Sequence, residues 1–285
     1  MSLMRIIRYV SLTSAWLLAP LILAQQAANP PLPDIHQLMQ EVHKHQKQLN
    51  KVRENYTYSD SQVVQEINSK GQVTKTETSE YEVFFVHGRQ ISQVVKKEGK
   101  PLSDQEQKKE TERVTKAVEN AEKPEAEQHK NNQSISLLHM LEIMDVRNPR
   151  RESFRGRQTI VFDVVGRKNA KTHDLSEDLS KKLQGTIWVD EADRQVVRLE
   201  AVFNDNFHVG GGLVANVQKG SRFSFDQAPV NGEIWLPSGG EVTIEMRLLL
   251  VKGIRQHIVM RDYDYKRFHV ETQQGKGVMV VPEKQ

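Results

Sequence analysis

The chain contains no cysteine. That absence excludes disulfides, thiolate metal ligands, a cysteine nucleophile and an N-terminal lipid anchor attached through cysteine. A chain of 285 residues buries enough surface to fold without such cross-links. There is no Gly-x-Ser-x-Gly elbow either, so the usual hydrolase nucleophile is missing. Charge of one sign is lacking as well: 40 basic residues stand against 37 acidic ones, and Arg5 and Arg8 near the start supply two of the basic ones. Nucleic-acid binding needs a basic face, so this balance argues against it. The apolar run Tyr9 to Leu23, about 15 residues, falls short of the roughly 20 that cross a bilayer as a helix.

What is present points to export. Arg5 and Arg8, the apolar run and Ile22-Leu23-Ala24 predict a cleaved signal peptide over 1–24, leaving no transmembrane span. The expected location is periplasmic or secreted. Residues 25–33 form a Pro-rich leader. Asp34 then caps an amphipathic helix in which Ile35, Leu38, Met39, Val42, Leu49 and Val52 recur at helical spacing. After residue 55 the period changes to two, and three hairpin-linked strands follow, with a turn at Asn68 to Gly71. Tyr81, Val83 and Phe85 share one face of them. Ser103 to Glu122 reads as a solvated helix with a thin stripe at Val114, Ala117, Val118 and Ala121. Ser134 to Val146 is apolar almost all round and predicts a helix covered on more than one side. From Arg151 the period of two returns, interrupted by a charged insert at 168–182 with room for a short helix, and Asn231-Gly232 is a strong hairpin signal.

These elements predict a mainly β, α+β fold. It is an antiparallel, strongly curved sheet of about ten or eleven strands, an unclosed β-barrel with helices over its concave face. Residues 34–285 form one such domain, with a helical insert at about 103–146. The concave side needs an occupant, and helix 134–146 is either a plug of ordinary core or a lid over a ligand. The candidate lining is Leu137, Leu138, Met140, Leu141 and Met144 from this helix, with Phe85, Phe162, Leu199, Phe203, Phe223, Met246 and Leu248 from the strands. Burying a dozen methylenes of an acyl chain there is worth about 10 kcal/mol before the costs of binding.

Two stretches carry a resemblance. Gly185-Thr-Ile-Trp-Val-Asp190 with Asp193 to Glu200, and Gly232-Glu-Ile-Trp235-Leu-Pro237, resemble motifs of the bacterial lipoprotein-localisation factor superfamily. In that group a strand ending in a Trp-Val-Asp-like triplet turns tightly into one ending Arg-x-Glu. The superfamily includes periplasmic lipoprotein carriers, lipid-binding lipoproteins and sensor domains of envelope-stress regulators. The resemblance implies an open barrel holding lipid or an acylated protein, or else docking to another envelope protein. The chain departs from typical carriers in its length and its polar insert at 103–133.

Other candidates have plainer explanations. His36, His43 and His45 lack the spacing and acidic company of a metal site. Gly210-Gly211-Gly212 runs into a strand, which is unlike a phosphate cradle. Asp190 and Asp193 suit a tight turn. No catalytic residue, metal or cofactor is expected.

Overall fold

A computed structural model describes residues 30–123, 141–249, 252–271 and 279–282. Contacts divide the chain into a short unit, Met1–Pro31, and the body that begins at Leu32; the body is the subject below. The lining candidates Leu137, Leu138 and Met140 lie outside the described residues, as does the segment 1–24.

Helix α1 spans Ile35–Arg53. Asp34 starts it, its Oδ1 accepting the Gln37 N–H at 2.8 Å, and Lys51 and Arg53 complement the dipole at its end. Strands β1 (Tyr56–Ile67), β2 (Val73–Val86), β3 (Arg89–Lys97) and β4 (Lys100–Pro101) follow. The first hairpin turns where Asn68 Oδ1 accepts the N–H groups of Lys70 and Gln72 and Gly71 takes φ +79°. Helix α2 (Asp104–Glu122) opens on a capping box between Ser103 and Glu106. Its sequence stripe is the side turned inward, with Ala121 buried.

The second half is a meander: β5 (Met144–Phe154), β6 (Arg157–Gly166), helix α3 (Leu175–Ser180), β7 (Leu183–Asp190) and β8 (Gln195–Phe203). A small excursion comes next, with β9 (Phe207–Val209), a 3-10 turn at Gly210–Gly212 and β10 (Ala215–Val217). Then come β11 (Arg222–Val230), β12 (Ile234–Leu248), β13 (Lys252–Glu271) and β14 (Met279–Pro282). Asn231 and Gly232 both take positive φ in the three-residue turn 231–233 between β11 and β12, one residue longer than the two-residue hairpin that the Asn-Gly pair predicts.

The strands form one open antiparallel sheet in the order β4-β3-β2-β1-β13-β12-β11-β8-β7-β6-β5; β10 pairs with β12 and β9, and β14 pairs with β13. Its edges, β4 and β5, do not meet. We call the face that carries α1 the inner face. There Ile35, Leu38, Met39 and Val42 bury against Ile160, Phe162, Ile187 and Val189, with Leu141 and Met144 in the same core. Two polar links hold α1 in place: Glu41 pairs with Arg194 at 2.8 Å, and His45 Nδ1 lies 2.9 Å from Gln195 Nε2. A second core gathers Tyr56, Tyr58, Val83, Phe85, Val230, Ile234 and Leu236.

One expectation is corrected. The predicted helix 134–146 does not reach Val146: among the described residues only Leu141 and Glu142 are helical, and β5 begins at Met144. Met144 pairs with Gly166 and Val146 with Val164. A free strand edge on β6 offers a ladder of backbone hydrogen bonds, and that outweighs a helical pattern in the side chains. Leu141 and Met144 are 2% and 4% exposed and belong to the core beneath α1.

This packing gives a stability prediction. Phe162 is fully enclosed, so Phe162→Ala should lower the unfolding free energy by about 3–5 kcal/mol, read from the denaturant midpoint at unchanged m-value.

Candidate apolar binding face

Register sets the rest of the inner face. Phe223 of β11 pairs with Ala201 and Val242; Val242 pairs with Ile258 of β13, and Ile258 with Val64 of β1. The neighbouring row runs Leu199, Phe225, Gly240, Met260, Gln62. Farther along β12, Ile244 faces Gln256 and Met246 faces Ile254. Cross-strand partners project to the same side, so these residues form one apolar field. Gly240 makes room in it, since a Cβ there would lie 3.3 Å from Met260 Cε and 2.5 Å from the Ser224 carbonyl. Val64, Val242, Ile244, Met246, Ile258 and Met260 are half-buried, Phe225 is exposed, and none belongs to either core.

The sequence-nominated lining divides among three places. Phe162, Phe203, Leu141 and Met144 are buried in the core beneath α1, with Leu199 and Phe223 packed on its margin. Met246 and Leu248 lie half-buried at the end of β12, opposite Val217 and Ala215 of β10. Phe85 is elsewhere, in the second core, its ring 6.1 Å from that of Tyr58. The apolar field thus includes Phe223, Met246 and Leu248 from the nominated set. It adds Val64, Phe225, Val242, Ile244, Ile258 and Met260, whose signal was the same alternation in β11, β12 and β13.

A polar seam interrupts the face. Asp60 of β1 stands directly opposite Asp262 of β13. Asp60 is buried; its Oδ2 accepts from Gln62 Nε2 at 2.7 Å, while its Oδ1 has no partner among the described residues. Tyr58 OH is buried and equally unpartnered, and Tyr265 OH donates to the Pro237 carbonyl. Burial raises the Asp262 carboxyl to about 7, with the facing Asp60 adding to it. Burial also pushes Asp60 up, against the pull of the Gln62 hydrogen bond. Tyr58 is raised far above the usual phenol range by burial, then by Asp262 and Asp60. No sequence signal marked this pair, because its halves stand some two hundred residues apart.

The opposite face is polar. A furrow of about 670 Å³ is lined there by Asp163, Thr186, Arg198, Glu200, Arg222 and Glu241. Its groups are largely engaged with one another: Arg198 holds Asp226 at 2.7 and 2.8 Å and Glu200 at 2.5 Å, and Thr186 Oγ1 donates to Asp163 at 3.0 Å. The residues of the two sequence motifs meet one another through Asp193. Asp190 accepts the N–H groups of Ala192 and Asp193, which makes the turn. Arg157 pairs with Asp190 at 2.5 Å and Asp193 at 2.6 Å, and Trp235 Nε1 donates to Asp193 at 3.0 Å. Burial pushes the Asp190 carboxyl up, but Arg157 and the turn N–H groups overcome this and hold it below the usual range. These carboxylates are consumed by structure. Among the described residues no group of three or more His, Asp or Glu is placed to hold a metal ion, and no helix is long and apolar enough to cross a membrane.

No protein-family model matches the chain, and no curated protein matches it. Solved structures do. A putative outer membrane lipoprotein-sorting protein domain from Vibrio parahaemolyticus aligns over 83% of this chain and 95% of its own, at 11% identity and TM-score 0.34. A LolA superfamily protein from Nitrosomonas europaea aligns over 81% and 94%, at 10% identity and TM-score 0.32. MucB of Pseudomonas aeruginosa, solved with MucA, aligns over 78% and 94%, at 10% identity and TM-score 0.24. The first two carry in their names the lipoprotein-sorting family whose motifs the sequence resembles.

The acid pair predicts a pH dependence. An unfolded carboxyl titrates near 4. Asp262 stays protonated in the folded protein up to about 7, so its contribution is complete below pH 4 and is lost as pH rises to 7. Asp262→Asn should therefore leave stability unchanged at pH 4 and raise it at pH 8 by about 1–3 kcal/mol, the span from 4 to 7 discounted for the side chain's partial exposure. Denaturant midpoints at the two pH values check this.

Proposed function

We propose that the protein is an exported, non-catalytic binding protein that holds an acyl chain, of a lipid or a lipidated protein, against the inner face of its open sheet. The observation that carries this reading is the apolar field from Phe223 to Val64. It is continuous across four strands and half-buried, and beyond Phe223, which packs on the margin of the first core, it is part of neither core. A field of Met, Ile, Val and Phe side chains suits a flexible hydrocarbon, and Met246 and Met260 adapt to its irregular shape. Such binding needs no reacting group. At about 0.8 kcal/mol for each methylene removed from water, the chain length of the ligand sets affinity.

A second reading is docking to another cell-envelope protein. The observation in its favour is the polar furrow on the opposite face, whose rim alternates Arg222 with Glu200 and Glu241 and so suits an extended, mixed-charge segment. Export, a periplasmic setting and the absence of chemistry are common to both readings.

Native mass spectrometry of gently purified protein, with competition by an apolar dye, tests the first. Wild type should carry lipid mass or bind a long-chain fatty acid in the micromolar range. Met246→Glu and Ile258→Glu should weaken that binding at least tenfold, because each places a charge in the field, with little change in circular dichroism at half-exposed sites. Unchanged binding in both variants would leave docking as the better account.

A further inference from the structure

The largest apolar exposure lies at one end of the sheet. Leu249 is 70% exposed, Leu213 64% and Val214 53%, the three most exposed large apolar side chains among the described residues. They come from two turns, the β9–β10 excursion and the β12–β13 hairpin, which β10 brings together by pairing with β12. The Leu249 N–H donates to the Val214 carbonyl at 3.1 Å and joins the two tips. Gly210, Gly211 and Gly212 all take positive φ, folding the first tip back on itself; a Cβ at Gly210 would come within 2.7 Å of Val214 Cγ2. Leu249 also takes φ +47°, a conformation a leucine rarely adopts. Local backbone preference therefore does not explain a leucine at that position.

The two segments that carry these tips are basic along the chain. Residues 206–225 contain no Asp or Glu but include His208, Lys219 and Arg222; residues 246–261 contain none but include Arg247, Lys252, Arg255 and Arg261. Arg247 is exposed and makes no ion pair among the described residues, and the nearest acid on β12, Glu245, is bound to Arg255 at 2.8 Å. Exposed leucines beside the unpaired Arg247 match the two layers of an anionic bilayer surface, apolar below and negative above.

From this we infer that the tip formed by Leu213, Val214 and Leu249 inserts shallowly into an anionic lipid surface, with Arg247 on the headgroups. Met246 and Leu248 are half-buried beside it at the end of the inner face, so the tip sets the apolar field at the bilayer. Its contact with the membrane stands whether or not that field takes an acyl chain.

The test is co-sedimentation of the purified protein with phosphatidylglycerol vesicles and with phosphatidylcholine vesicles at 0.1 M salt. Wild type should favour the anionic vesicles. The double variant Leu213→Ser, Leu249→Ser should lose at least tenfold in partitioning, and Arg247→Gln about fivefold, the worth of one basic residue near such a surface. These sites are solvent-exposed, so thermal unfolding should be unchanged. The apolar-field variant Ile258→Glu, which lies opposite Val242 and well along the strand from the tip and whose fatty-acid binding is a separate measurement, should partition as wild type does. Equal partitioning of wild type and the double variant would overturn the inference. So would a wild-type dimer by light scattering that the double variant abolishes, since the tip would then be covered by a second copy.

Discussion

The pairing of β1 with β13 is the contact on which the molecule depends. It runs from Tyr56 opposite Arg267 to Glu66 opposite Gln256, and the Phe268 N–H extends it to the Asn55 carbonyl. Without it the chain is two separate antiparallel ribbons, β1 to β4 and β5 to β13. Closing a loop of this length costs about 5 kcal/mol of chain entropy. The ten-residue ladder and the second core, with Tyr58 against Tyr265 at 5.6 Å, must exceed that. The apolar field exists because of the same seam, since Val64 joins Ile258 and Val242 only across it.

Asp60 and Asp262 are set within that seam, where two apolar side chains would hold the strands more firmly. The pair makes the join between the two ribbons its proton-sensitive part, and it lies between the second core and the apolar field. Above neutral pH a buried negative charge accumulates there with no basic side chain hydrogen-bonded to it among the described residues, and the β1–β13 register is where that repulsion acts.

An open sheet of this size must also protect its edges from other chains. β3 is shielded by α2: Glu110 accepts the Val94 N–H at 2.7 Å, and Arg113 donates to the Ser92 carbonyl. Carboxylate and guanidinium so replace a neighbouring strand's carbonyl and amide. β4 carries Pro101, and β5 carries Pro149 at a register shift. Edge protection confines association to faces and tips, where the apolar field, the polar furrow and the leucine tips are.

Whatever depends on neighbours along the chain was legible in the sequence: the Asp34 cap, the solvated helix that starts at Ser103, the turns at Asn68 to Gly71 and Asn231-Gly232, the alternation that makes one antiparallel sheet, and Phe162 and Phe223 as inward residues. Each follows from dihedral preference or from a period of two or 3.6, which act over a few residues. What required the tertiary structure depends on partners far away in sequence. Met144 is strand because β6 offers it an edge, Phe85 belongs to a core built with Val230 and Leu236, and Trp235 meets Asp193 across the sheet. Asp60 faces Asp262 only once β1 and β13 are in register. Periodicity says which side of its own strand a residue occupies, but not which strand lies beside it, and the chemistry of this face is set by those neighbours.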